Sequence, residues 1–268
     1  MKARKKVRKI ARKKIIVKKE KLKKRTISKK EKYVEIRVPS GISGFDELVE
    51  GGFEKNSINL VVGDSGSGKT IFALQFLIEG LRRGESCLYI TFEEKKEEFY
   101  SNMLDFGWDM EEYEKKGKFF FLEYNPEKVK AMIEEGGGEI ESIVIKQHIS
   151  RIVIDSVTSF ALLFEDELQR REAALSLFDI IRKWDCTSIL TLQENPLYRK
   201  EGGPSSLEFE ADSIILIYFI RERKERQRFV EVLKMRGTRH STKIHPLKFS
   251  DKGLYVSKEA YSSTAVIE

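Results

Sequence analysis

Eight residues, Gly63-Asp64-Ser65-Gly66-Ser67-Gly68-Lys69-Thr70, fit the spacing G-x-x-x-x-G-K-[ST], whose chemistry is the cradling of a nucleoside triphosphate. The glycines let the backbone wrap phosphates with its N–H groups. The helical pattern that opens at Ile71-Phe72-Ala73-Leu74 sets the positive end of a helix dipole behind them. Lys69 is expected to reach the β- and γ-phosphates, and the Thr70 hydroxyl to serve Mg2+. ATP with Mg2+ is the expected ligand. Such a loop needs a second carboxylate on the metal side, at the end of a neighbouring strand, and Arg151-Ile152-Val153-Ile154-Asp155 ends in one. Asp155 is the metal candidate, with a helix N-cap ahead of Thr158 as the alternative. Hydrolysis also needs a group that activates water. The run Cys87–Phe92 ends in Glu93-Glu94; one of the pair is the expected base, unless both only open a charged helical turn. Gln193 ends the run Ser188–Leu192 and either senses the γ-phosphate or caps its strand.

These residues require parallel strands to carry them. Short apolar runs alternate with longer amphipathic stretches from Tyr33 onward, the pattern of strands joined by crossover helices. Strands are expected at Ser57–Val62, Cys87–Phe92, Phe119–Tyr124, Arg151–Ile154 and Ser188–Leu192. Helices are expected at Lys69–Arg83, Lys95–Phe106, Pro126–Glu135 and Gln169–Lys183. The strands are continuous apolar runs, so helices should cover both faces of the sheet. Beyond Ser213 the pattern becomes antiparallel: Ser213–Ile220 and Phe229–Lys234 flank a charged turn, Arg221–Arg228, and Ile244–Phe249 with Gly253–Val256 form a second pair. The expected fold class is α/β, a mainly parallel central sheet flanked by helices with C-terminal antiparallel strands. Gly136-Gly137-Gly138 and Glu201–Ser206 read as loops.

Length and composition allow one large α/β domain or two small ones, with 40% hydrophobic residues in a chain of 268. Charge is placed unevenly. Residues 1 to 30 hold 17 of the 50 lysines and arginines and one acid, Glu20, so this tail carries about +16 and the remainder about −9. A segment so basic buries little apolar surface and is expected to be disordered or a frayed helix, with reach toward nucleic acid or anionic lipid, unless it is a solubilising extension or upstream sequence. The expected division is a basic tail over 1–32, a nucleotide-binding domain over 33–257 and a short tail over 258–268. No membrane span or secretory signal is expected, which makes a cytoplasmic protein the reading. Only ten Asn and Gln beside 35% charged residues suggests a thermophilic source. Cys87 and Cys186 edge apolar runs without metal spacing and are expected to be inert buried thiols.

A set of spaced segments adds a resemblance. Val38-Pro39-Ser40-Gly41-Ile42-Ser43-Gly44-Phe45-Asp46-Glu47-Leu48, then Gly51-Gly52, the phosphate loop, Thr91-Phe92-Glu93-Glu94, Val153-Ile154-Asp155-Ser156 and Lys234-Met235-Arg236-Gly237-Thr238 follow one another in order. Together, over about residues 35 to 257, they resemble the KaiC family within the RecA-like P-loop ATPases, with a length similar to its single-domain archaeal members. The resemblance implies a ring-shaped homo-oligomer, often hexameric, with ATP at subunit interfaces. It implies catalytic glutamates at Glu93 and Glu94, and Lys234 and Arg236 acting on a neighbour's nucleotide. One departure counts against clock-type autophosphorylation. Where the family's phosphorylating half carries adjacent Ser and Thr, this chain has Glu208 and Phe209, and Ser205 and Ser206 stand in a Gly-Pro loop.

Three functions follow as expectations: an oligomeric ATPase regulating a protein partner, a nucleic-acid-binding relative of RecA and RadA that uses the basic tail, or a nucleotide-binding scaffold without turnover. The acidic body favours the first.

Overall fold

Side chains alternate between the two faces of a strand, so a run apolar at every position is stable only where both faces are covered. Strand β3 (Ile58–Gly63) is such a run, buried at all six positions. Ile58, Leu60 and Val62 enter one core and Val61 the other. The computed structural model describes residues 36–125, 128, 131, 138–161, 164, 166–198, 206–222 and 224–262. The expected basic tail 1–32, most of the expected helix Pro126–Glu135, Gly136-Gly137, Ser205 and residues 263–268 lie outside the described residues.

The described strands are β1 (Arg37–Val38), β2 (Phe53–Glu54), β3, β4 (Ser86–Thr91), β5 (Phe119–Glu123), β6 (Ile149–Asp155), β7 (Thr187–Gln193), β8 (Ser213–Glu222), β9 (Glu225–Met235), β10 (His245–Ser250) and β11 (Gly253–Val256). The described α-helices are α1 (Lys69–Arg82), α2 (Lys96–Leu104), α3 (Met110–Lys115), α4 (Gly138–Lys146), α5 (Val157–Ala161), α6 (Glu167–Lys183) and α7 (Ser206–Glu210). β1 and β2 form a small antiparallel pair; the other nine strands form one sheet in the order β11-β10-β9-β8-β3-β7-β6-β4-β5. From β8 to β5 the neighbours run parallel, and β9, β10 and β11 are added antiparallel at one edge. The expected fold class is therefore the observed one.

One core packs α4 and α6 on the sheet through Ile140, Val144, Leu177, Phe178 and Ile181; the other packs α1, α2 and the lead-in around Phe45 and Phe53 on the opposite face. Arg151 is an exception that the second core is built around. It is fully buried in β6, with Nε and Nη2 on Glu85 at 2.7 and 2.9 Å and Nη1 on the Pro39 and Phe76 carbonyls at 2.8 and 2.9 Å. A Cβ on Gly80, inside α1, would lie 2.6 Å from Arg151 Cδ and Nε, so only glycine fits that helical turn.

Two expectations change at the edges. The charged stretch Arg221–Arg228 is not a long turn: β8 and β9 pair down to Glu222 and Glu225. Two of its arginines, Arg226 and Arg228, find ring faces within the ladder. Arg226 and Arg228 lie 5.1 and 4.1 Å from the Phe219 centroid, and Arg228 lies 4.8 Å from that of Phe249. Helices α3, α4, α5 and α7 are additions to the expected set, and Gly138 and Ser206, both read as loop, begin α4 and α7. Asp109 caps α3, its carboxylate accepting the Glu112 N–H at 2.8 Å.

Candidate active site

Parallel strands deliver their carboxyl ends to one side of a sheet, where open α/β proteins bind ligands. Here β3, β4, β6 and β7 end there together: Gly63 pairs with Gln193, and Thr91 with Asp155. The loop 63–70 leaves the central strand at that level. Gly66 and Gly68 take left-handed φ values of 72° and 103°. A Cβ on Gly63 would lie 2.6 Å from Ser67 Oγ and 2.7 Å from the Ile217 carbonyl, which explains the glycine that opens the motif. Ser65 N–H donates to Asp64 Oδ1 at 2.7 Å, and Ser67 N–H to the Asp64 carbonyl at 3.2 Å. Lys69 is buried and its Nζ donates to the Asp64 carbonyl at 2.9 Å across the loop. Burial pulls its pKa below the usual lysine value, opposed by the charges of Asp155, Asp64 and Glu93.

The metal-side pair meets within the chain. Thr70 hydroxyl donates to Asp155 Oδ2 at 2.6 Å, Tyr89 hydroxyl reaches the same oxygen at 3.0 Å, and the Thr191 hydroxyl donates to Asp155 Oδ1. Asp155 is not acting as the cap of Thr158; the Thr158 hydroxyl instead accepts the Gln193 N–H at 2.7 Å, tying the ends of β6 and β7 together. Gln193 thus closes its strand, with its side chain exposed.

The two glutamates differ in setting. Thr91 Oγ1 accepts the N–H groups of both, at 3.2 Å from Glu93 and 3.1 Å from Glu94, so one hydroxyl fixes the turn that follows β4. Glu93 is exposed, and its Oε1 accepts the hydroxyls of Ser159 at 2.7 Å and Ser156 at 3.4 Å. Glu94 is half-buried. Its pKa is raised, first by burial and then by the negative charge of Asp155, with the Tyr89 hydroxyl at 3.4 Å opposing. A carboxylate with a raised pKa is the better proton acceptor near neutrality.

Lys234 and Arg236 lie elsewhere. Met235 pairs with Ser213 and Ser213 with Asn59, whereas Gly63 pairs with Ile217. The pair is therefore offset from the phosphate loop by four residues of β8, about 13 Å along the strand. Lys234 Nζ donates to the carbonyls of Glu208, Phe209 and Ala211 at 3.2, 3.2 and 2.7 Å. Arg236 bonds Asp212 Oδ1 and the Phe209 carbonyl, each at 3.2 Å. Both side chains cap the end of α7 in their own chain.

Several residues around the site carry no linear signal. Tyr89, Thr191 and Ser159 read as ordinary strand and helix positions. Asn195 Nδ2 steadies Asp64 Oδ2 at 3.3 Å, and Arg228 Nη2 holds the Gly66 carbonyl at 2.9 Å while it stacks on Phe219 and Phe249. The only hint was the alternation of Arg226 and Arg228 with Gln227 and Phe229, the period of a strand. Cys87 and Cys186 are buried and free, and burial raises both thiols, Cys186 to about 12. Among the described residues no helix is long and apolar enough to cross a membrane.

Comparison with known proteins gives the family. A family model described as "ATPase: KaiC" matches residues 38–261. The circadian clock protein KaiC3 of Synechocystis is 34% identical over 223 residues, a match that spans 81% of this chain but 44% of that protein. A UPF0273 protein of Pyrococcus horikoshii is 36% identical over 233 residues, covering 82% of this chain and 93% of its own length. Among solved structures, a KaiC-like protein from the same hyperthermophilic archaeon superposes with a TM-score of 0.73 at 37% identity, covering 83% of this chain and 99% of that one.

Proposed function

This chain belongs to the KaiC family of ATPases, and on that premise we propose that it binds Mg2+ and ATP at Gly63–Thr70 and hydrolyses ATP to ADP and phosphate. The observation that carries the reading is the direct contact of Thr70 with Asp155 at 2.6 Å, beside a phosphate loop and next to the strand end that bears Glu93 and Glu94. A hydroxyl and a carboxylate are hard oxygen donors, the set that suits Mg2+ held between protein and phosphates. The metal, when bound, supplies neutralisation of charge on the phosphate oxygens.

The chain's own residues do the rest. The loop N–H groups and Lys69 hold the β- and γ-phosphates, and Asp155 fixes the metal side. The Glu93/Glu94 pair takes the proton from the attacking water, Glu94 through its raised basicity and Glu93 from a position tethered by Ser159. Lys234 and Arg236 stabilise charge at the γ-phosphate of a neighbouring copy in a ring-shaped homo-oligomer of about six chains, a size taken from the family likeness. Their offset from the loop of their own chain supports that assignment. Turnover serves a protein partner; the charge of about −9 over residues 31–268 disfavours nucleic acid as the main target.

The test is phosphate release with Mg2+ and ATP, followed across a dilution series together with light scattering. Hydrolysis per subunit should rise as the assembly forms. Tight ATP binding without phosphate release would leave a scaffold and reject the enzyme.

A further inference from the structure

The Tyr89 ring is fully buried in β4, stacked 4.6 Å from Phe99 and 5.6 Å from Phe121 between centroids. Packing alone would be met by phenylalanine, because the ring belongs to an apolar cluster that also holds Val153 and Ile189. The oxygen is the exception. It emerges between two carboxylates, 3.0 Å from Asp155 Oδ2 and 3.4 Å from Glu94 Oε2. Burying a hydroxyl is costly unless it is hydrogen-bonded, so this oxygen is kept at a cost that its carboxylate neighbourhood offsets through the one proton it donates. The two carboxylates belong to the two halves of the proposed chemistry, the metal side and the proton-accepting side.

Resting on the ATPase reading above, we infer that Tyr89 is a positioning residue, whose phenol holds Asp155 and Glu94 in register with each other. A phenol has one proton to donate, and the shorter contact assigns it to Asp155. Glu94 Oε2 lies 3.4 Å from the same oxygen, so the phenol stands between the two carboxylates and sets their spacing. Asp155 has two further donors, Thr70 on Oδ2 and Thr191 on Oδ1. Thr70 is itself a metal oxygen in this scheme. Tyr89 and Thr191 are then the donors to the carboxylate that are not themselves assigned to the metal, the place that outer hydrogen bonds occupy around metal ligands.

The variant Tyr89→Phe removes the oxygen and keeps the stack, and Phe99→Leu loosens the stack and keeps the oxygen. Three quantities separate them: Mn2+ affinity in the complex with a non-hydrolysable ATP analogue, read by electron paramagnetic resonance; kcat and KM for ATP; and the thermal midpoint. Tyr89→Phe should weaken Mn2+ and lower kcat about tenfold, the usual scale for losing an outer hydrogen bond, with KM for ATP and the midpoint little changed. Phe99→Leu should lower the midpoint and leave Mn2+ affinity as it was. Wild-type affinity and kcat in Tyr89→Phe, or equal losses of affinity in both variants, overturn the positioning role while leaving the ATPase intact. A wild-type chain that binds neither analogue nor Mn2+ overturns the ATPase reading and this inference with it.

Discussion

The carboxyl ends of the parallel strands and the start of β8 hold the two sets of candidate residues, and they differ in what one chain accomplishes alone. At the first, Thr70, Asp155, Tyr89 and Glu94 already touch through hydroxyl and carboxylate, and Lys69 is folded across its loop. At the second, Lys234 and Arg236 are turned back onto the carbonyls that end α7. A cation already hydrogen-bonded to its own backbone must exchange those bonds to act elsewhere. The proposed phosphate side is thus assembled by folding, and the cationic side is proposed to be completed by a second chain.

The contrast can be broken by substitution, and the largest effect belongs to the loop. Lys69→Ala should abolish tight ATP binding, since Lys69 is the cation folded across the loop onto the Asp64 carbonyl; unchanged affinity by calorimetry would remove the phosphate-loop assignment. Next in size, Arg236→Ala should lower kcat by roughly 10³- to 10⁵-fold, the range for arginine fingers, with ATP still bound. Mixing Arg236→Ala with Lys69→Ala protein should restore part of the activity, because a mixed interface pairs an intact loop with an intact arginine. No recovery in mixtures shown to co-assemble would make the two regions independent.

Glu93→Gln together with Glu94→Gln should leave ATP bound and reduce turnover by about 10²- to 10⁴-fold, the contribution of a positioned proton acceptor. Wild-type turnover in that double variant would place the base outside the strand end of β4. The smallest effect sharpens the comparison from the other side. Lys234→Ala should cost an unassembled chain about 1 kcal/mol in a urea titration, through the lost bonds to the end of α7. A stability identical to wild type would mean that Lys234 is not engaged in its own chain.

What was legible in the sequence was local. The strand runs are apolar throughout and the loop glycines have a fixed spacing, so β3, β4, β6 and β7 and the residues at their ends could be placed to within a few positions. What was hidden depends on pairing. The offset of Lys234 and Arg236 from the loop follows from the register of Met235 on Ser213, two residues with no linear relation. Arg226 and Arg228 resembled turn residues because their charge was visible and the rings that receive it, Phe219 and Phe249, were not. Arg151 was legible only as the start of a strand, and it is wholly buried on Glu85 and two backbone carbonyls. In each case a charged residue was solvated by the protein, which no window of neighbouring residues displays.

The central place of β3 also bears on how the chain reaches this structure. Its two neighbours in the sheet come from far along the sequence: Asn59 bonds to Ser188 across 129 residues and to Ser213 across 154. Contacts of such separation are slow to form, because a long loop must close before they return any stabilisation. During synthesis the strand that ends in the phosphate loop emerges early and waits with both edges bare until β7 and β8 have been made. A chain that stops before residue 213 leaves one edge of β3 open, a ready template for pairing with another copy. The loop is written in the first third of the chain, yet the C-terminal half decides when it becomes a site.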